Sequence, residues 1–293
     1  MEVFIAYLEA GIVSGSIYSL IGIGMNLLLV VSRVVQFAYG EIVVISMYAC
    51  WLIHRLTGSF IIAFIGSAII SVALTLLIEP ILRGLRERKL LTETLVITIA
   101  VGMILTEVMS QFLNSGLPIA FPGTIVGGGW AVSSGLIRVT GADVYVVIAS
   151  LVFMICLISY LFKTKQGKAL RAIAHNIDAA RLLGIPLRAC TMTSFMITGM
   201  LSGLTALLFI LTMGIATPEL GEHITFKGMA VMMLGGMGSL KGAVAGGFLL
   251  GLIECMVRGY FLGDWVDAIA MGAIMIVVIV RPNGLFGSAQ DHT

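Results

Sequence analysis

Long apolar runs separated by short polar islands dominate this chain. The first run, residues 5–31, exceeds the roughly 20 helical residues needed to cross a hydrocarbon core. Gly11, Gly15, Gly22 and Gly24 along it leave room for a neighbouring helix to pack closely. Further runs of spanning character lie at 60–78, 94–113, 144–162, 192–213 and 266–280. Two apolar stretches are interrupted. Arg33, Gln36, Gly40 and Glu41 break the chain after the first span, and a glycine-rich break at 235–242 divides the run that starts near Phe226. Polar backbone at membrane depth is tolerated only where it is buried in protein or lines a cavity, so both interruptions predict broken or re-entrant segments. The expected architecture is all-α: a polytopic helical membrane protein with about eight transmembrane segments, two of them interrupted, forming one transmembrane domain over residues 1–293.

Composition sharpens this picture. Charged residues are 11% and apolar residues 59%, with mean hydropathy +1.10, so lipid must solvate much of the surface. A net charge of +2, with no basic patch interleaved with aromatics, argues against nucleic acid as a partner. The acidic N-terminus lacks the basic region of a cleavable signal, which predicts that the first run is kept as a span. Cys50, Cys156, Cys190 and Cys255 are far apart, as are His54, His175, His223 and His292, and no metal-binding spacing is present. Basic residues set the orientation. Arg83, Arg86, Arg88 and Lys89 form one cluster and residues 163–188 a second, with two spans between them, so both fall on the cytoplasmic side. The glycine-rich stretch 114–142 and the mildly acidic stretch 216–227 (Glu219, Glu222) are expected as outer loops. The charges leave open the side on which the last span ends, at Arg281 and Pro282.

The second basic island, KTKQGKALRAIAHNIDAARLLGIPLR, contains one acid, Asp178. Ala169, Ala172, Ile173, Asn176, Ala180 and Leu183 recur every three or four residues, predicting one helix of about four turns with a stripe of small residues. Gly184 and Pro186 end it. A shallow stripe on a cytoplasmic helix suits a docking handle; a solvated amphipathic helix gives the same pattern.

No catalytic motif is present. GGMGSLKG lacks the ending of a phosphate loop and lies in an apolar run. Ionisable groups in spans are costly and mark functional candidates, here Glu41, Glu107 and Glu254 together with Asn26 and Gln36. Each can also be an interhelical hydrogen bond, and Arg258 is placed to pair with Glu254. Paired interruptions in two halves point to a substrate path near the midplane. The residues expected along it are Asn26, Gln36, Tyr39, Gly40, Glu41, Glu107, Gly235, Gly236 and Gly238. A weak internal repeat follows from the same pairing.

Four stretches carry a resemblance: NLLLVVSRVVQFAYGEIVVISMYA, GKALRAIAHNIDAARLLGIPLRA, FKGMAVMMLGGMGSLKGAVAGGFLLGLIE and RPNGLFG. In order and across essentially the whole chain, they resemble the branched-chain amino acid ABC permease family, and the length resembles its shorter, LivH-type subunit. Tyr39 stands where the family usually has histidine and Gln36 where it often has asparagine, and relatives are similar to urea and amide permeases, so the solute stays open. The resemblance implies a permease half that pairs with a second, longer permease in a bacterial or archaeal cytoplasmic membrane. Two cytoplasmic ATP-binding subunits would use the ATP, with no cofactor in this chain, and an extracytoplasmic solute-binding protein would deliver the solute. Ala169, Arg171, Ala172, Asp178, Ala179, Ala180, Leu183 and Gly184 match its coupling pattern and would contact the ATPase from a loop at 163–190. The competing readings are a stand-alone ion-coupled carrier or channel, whose flux would follow an ion gradient, and a structural membrane subunit without transport.

Overall fold

Two half-length helices enter the molecule from opposite sides and meet inside it. The computed structural model describes residues 2–87, 90–113, 117–122, 131–134, 137–260, 266–281 and 284–286, so Arg88, Lys89 and Pro282 lie outside the described residues. The helices are α1 (Glu2–Ser32), α2 (Tyr39–Thr57), α3 (Phe60–Glu87), α4 (Leu91–Phe112), α5 (Gly141–Lys163), α6 (Lys165–His175), α7 (Ile177–Leu182), α8 (Leu187–Met213), α9 (Leu220–Gly235), α10 (Leu240–Tyr260) and α11 (Val266–Val280). Strand β1 (Ile119–Ala120) pairs antiparallel with β4 (Ile215–Ala216), and β2 (Ala131–Ser134) with β3 (Ile137–Thr140). The chain is thus an all-α polytopic membrane protein. Six helices, α1, α3, α4, α5, α8 and α10, are long and apolar enough to cross a membrane.

Close glycine packing builds the centre. Helix α1 runs antiparallel to α10: a Cβ on Gly15 would lie 2.8 Å from the Phe248 Cα, and one on Gly11 3.0 Å from the Leu252 Cα. Helix α8 runs antiparallel to α3 in the same way: a Cβ on Gly203 would lie 2.9 Å from the Ala68 Cα and one on Gly199 2.7 Å from the Val72 Cα. The regular glycines of the sequence are therefore a helix–helix seam, where small residues let dispersion contacts form along the backbones.

The two halves repeat each other. Helix α1 packs on α10 and α8 on α3; α2 touches α8 and α9 touches α1; α4 covers α2 and α3, and α11 covers α9 and α10. Exchanging α1–α4 for α8–α11 therefore maps the packing onto itself. The chain agrees in detail. Helix α1 is followed by Arg33 at φ 56° and α8 by Gly214 at φ 66°. Each is followed by a short non-helical linker, 33–38 or 214–219, and then by a helix opening on Gly-Glu (Gly40-Glu41, Gly221-Glu222). Corresponding residues lie a constant 181 positions apart (Arg33 and Gly214, Gly40 and Gly221).

The repeat is inverted. The Arg86 guanidinium donates to the Ser32 carbonyl (3.4 Å), placing the end of α1 on the face where α3 ends, the basic face. The Gly214 carbonyl accepts from Phe121 N (2.8 Å), in the stretch between α4 and α5, placing the end of α8 on the opposite face. Both linkers nevertheless lead to one point, because Gly40 and Gly221 are in contact. That point therefore lies between the two membrane faces. The chain tail settles the last crossing. Leu285 N and Phe286 N donate to the Leu234 and Gly235 carbonyls (2.9 and 3.0 Å), capping α9 on the basic face. Helix α11 thus returns there, and the broken α9–α10 segment goes in and comes back out.

Two expectations are corrected. The stretch 216–227 is not simply an outer loop, since α9 begins at Leu220 and Lys227 is ion-paired inside the bundle. Its polar residues lie on one side of a helix whose other side, Gly221, Ile224, Thr225 and Gly228, is buried. The docking segment is two helices, α6 and α7, and not one. Asn176 breaks it by turning its side chain back to cap α7, its Oδ1 accepting from Asp178 N and Ala179 N at 3.0 Å each.

Candidate functional site

Helices α2 and α9 meet through their first turns. A Cβ on Gly40 would overlap the Gly221 carbonyl oxygen, and one on Gly221 would lie 3.0 Å from Glu41 N and Cα, so only glycine fits on both sides. The Thr225 hydroxyl joins the two ends: it accepts from Gly40 N (2.9 Å) and lies 3.0 Å from the Phe37 carbonyl and 3.3 Å from Glu41 Oε2. Two helix N-termini facing one another concentrate positive partial charge. Each half supplies a carboxylate in its first turn to offset it, Glu41 in α2 and Glu222 in α9. Glu41 is 7% exposed and Glu222 is exposed. On its other side Glu41 faces α4, where a Cβ on Gly102 would lie 3.4 Å from its carboxyl carbon.

The remaining residues expected along a path divide into three groups. Tyr39 is buried at the same junction, its hydroxyl packed against Gly24 of α1. Asn26 instead holds the second break. Its amide nitrogen donates to the Ser239 and Gly236 carbonyls (2.9 and 3.4 Å), and its oxygen accepts from Gly238 N (2.7 Å). Gly236 and Gly238 take φ of 102° and 93° there, and Gly235 packs against the backbone of Gly242. Gln36 is buried in the first linker with neither amide atom hydrogen-bonded. Glu107 stands apart on the exposed face of α4, accepting from Gln111 (2.8 Å).

Three groups inside the bundle, Thr225, Lys227 and Glu79, have no counterpart in the sequence reading. Thr225 is the junction bond described above. Lys227 completes a cluster around Glu254, one of whose oxygens accepts from Lys227 (2.8 Å) and Arg258 (2.9 Å) while the other accepts from Tyr18 (2.8 Å). The Arg258 pair was legible from the four-residue spacing, whereas Lys227 and Tyr18 arrive from distant helices. Glu79, buried in α3, has Arg83 at 3.8 Å as its ion-pair partner, again a four-residue spacing. No group of His, Cys, Asp or Glu among the described residues could hold a metal ion.

On the basic face, α6 is fastened to the spans. Thr164 caps it by accepting from Gly167 N (3.0 Å), and Leu170 and Ile173 are buried. The Arg171 guanidinium donates to the Leu161 carbonyl (3.1 Å) and lies 4.3 Å over the Phe162 ring. Ala180 is buried and Gly184 closes α7 at φ 75°. Of the residues matched to a coupling pattern, Arg171 and Ala180 therefore hold the segment to its own chain. Ala169 and Ala172 are half-buried, and Asp178, Ala179, Leu183 and Gly184 face outwards. Leu182 and Leu183 are 90% and 78% exposed at the tip. Beside it, Lys165, Gln166, Ala169, Leu170, Pro186, Ala189, Cys190 and Thr193 line a groove of about 220 Å³.

A bundle of apolar helices with an inverted repeat, two helices whose first turns meet between the two membrane faces and an exposed apolar tip on the basic face describes a membrane permease core. The chain belongs to the family described as branched-chain amino acid transport system / permease component, whose pattern matches residues 7–279. It is similar to the high-affinity branched-chain amino acid transport system permease protein LivH of Escherichia coli K12, at 28% identity over 99% of this chain and 98% of that one. It is also similar to the corresponding protein BraD of Pseudomonas aeruginosa, at 27% over 98% and 97%. The autoinducer 2 import system permease protein LsrC of Enterobacter sp. 638 is 28% identical over 45% of this chain and 40% of its own length.

Proposed function

We propose that the chain is one permease subunit of an ABC importer in a cytoplasmic membrane, forming half of the path for branched-chain or other hydrophobic amino acids. A second, longer permease supplies the other half, two cytoplasmic ATP-binding subunits drive it, and an extracytoplasmic binding protein delivers the solute. One observation supports this beyond family membership: the α6–α7 arm is tied to the spans yet ends in two largely exposed leucines, Leu182 and Leu183. An apolar tip in water is unfavourable unless a partner covers it. Helix α6 also packs on α1, α5 and α8, so a push on α7 reaches both central helices. From α8 it passes through the 214–219 linker to the α2–α9 junction.

The test replaces outward-facing residues only. Leu182→Asp with Leu183→Asp is expected to abolish ATP-dependent leucine uptake and co-purification of the ATPase, with the chain still inserted in the membrane. Uptake at the parental rate would remove the docking assignment. Because the solute rests on relatives' names, uptake of leucine, valine, urea and acetamide is compared in the same vesicles.

A further inference from the structure

The path residues suggested by the sequence are mostly buried, which raises the question of where solute passes. The depth of the junction answers it. Helix α2 has 19 residues, about 28 Å of rise, and leads from Gly40 to the face opposite the basic one. Helix α9 has 16 residues, about 24 Å, and leads from Gly221 to the basic face. Neither length fits a junction lying at the face its helix leads to, so in a hydrocarbon core about 30 Å thick the shared starting point lies between the two faces.

At this depth α9 turns one side outwards. Glu222 and His223 are exposed and Phe226, on the same stripe, is 49% exposed. The exposed faces of α3, α5 and α8 differ: Ile61, Ile62, Ile65 and Ile69 on α3, Ile148, Val152 and Ile155 on α5, Met192, Met196 and Met200 on α8. Those faces suit lipid, whereas a carboxylate beside an imidazole at mid-depth does not. We infer that the Glu222–His223–Phe226 face of α9 is a water-filled wall of the solute path, passing outside the chain's buried interior. This rests on the permease reading and specifies its lining. With Glu41 behind Glu222, the wall favours solutes bearing an ammonium group over free anions.

The test is thiol accessibility in membrane vesicles containing the assembled transporter. Exposed Cys156 is first replaced by serine. Phe226→Cys, His223→Cys and the lipid-facing control Ile69→Cys are then treated with a charged, lipid-impermeant methanethiosulfonate. Because the reagent attacks thiolate, which apolar surroundings suppress, Phe226→Cys is expected to react about tenfold faster than the control or more. His223→Cys gives the same readout should Phe226→Cys fail to insert. Adding Glu222→Gln to Phe226→Cys is expected to bring the preference for cationic over anionic reagent towards unity. Labelling of both α9 thiols at the control rate overturns the wall, even where ATP still drives uptake. Fast labelling in vesicles whose flux follows an ion gradient and ignores ATP keeps the wall and overturns the importer reading.

Discussion

Thr225→Val isolates the joint between the two half-helices with little change of shape. The hydroxyl is buried and accepts from Gly40 N at 2.9 Å, in the first turn of α2 where that N–H has no partner within the helix. Removing it leaves that N–H unsatisfied away from water, costing about 1–3 kcal/mol. The single hydroxyl proton serves either the Phe37 carbonyl or Glu41, and its loss costs a further ~1 kcal/mol. Valine is thus expected to destabilise the protein by about 2–4 kcal/mol, a thirtyfold to thousandfold change in the folded ratio. Thr225→Ser keeps the hydroxyl and forfeits one methyl, about 1 kcal/mol. Reversible unfolding in mixed micelles titrated with dodecyl sulfate, followed by tryptophan fluorescence, measures both. Valine as stable as serine would show that the threonine does not join α2 to α9.

Lys227→Met is expected to cost about 3 kcal/mol in the same assay, because it strips one cation from a buried carboxylate; adding Glu254→Gln should recover more than half, and simple additivity of the two would deny the coupling. The inverted repeat predicts opposite responses at its two helix ends. Arg33 is exposed in the left-handed region, so Arg33→Gly should be neutral or stabilise by up to about 1 kcal/mol, while Gly214→Ala should destabilise by about 1–2 kcal/mol.

Hydrophobic run length revealed most of the spans because lipid imposes one simple requirement on each. The α11 boundaries at 266 and 280 coincide with the sequence reading, and both breaks were legible from their glycines and charges. What could not be read was which polar residue serves which surface. Asn26 looked like a path residue because it is polar within a span, yet all its hydrogen-bonding capacity toward the second break is fixed by residues 236–239, more than two hundred positions away. Glu222 and Lys227 made the start of α9 look like a loop. A mean over neighbouring residues cannot tell a polar segment from a helix with one polar side. The small-residue stripe of the coupling segment divides in the structure. Spacing of three and four identifies the face a helix buries, and here Ile173 and Ala180 bury part of the stripe against their own chain, while Leu183 of the same stripe and its neighbour Leu182 stay exposed at the tip.

The inverted repeat also explains why its two halves need not do the same work. Glu41 and Glu222 occupy equivalent positions, but α4 closes over the first while the second is exposed. One half-helix is therefore locked into the bundle, with Tyr39, Gly40 and Ile42 all buried, while its counterpart offers a charged face at the same depth. The linkers differ in the same sense. The first holds a buried Gln36, whereas the second is pinned on the opposite face by strand pairing of Ile119 with Ala216 and Ala120 with Ile215. Movement of α9 must break or carry that pairing, and movement of α8 reaches α9 through it as well as through α1 and α2, which pack on both. The arm on the basic face and the strand pair on the other thus bear on the same helix, α8, from its two ends. A permease that opens alternately to the two sides needs such a helix, and the repeat places it at the centre.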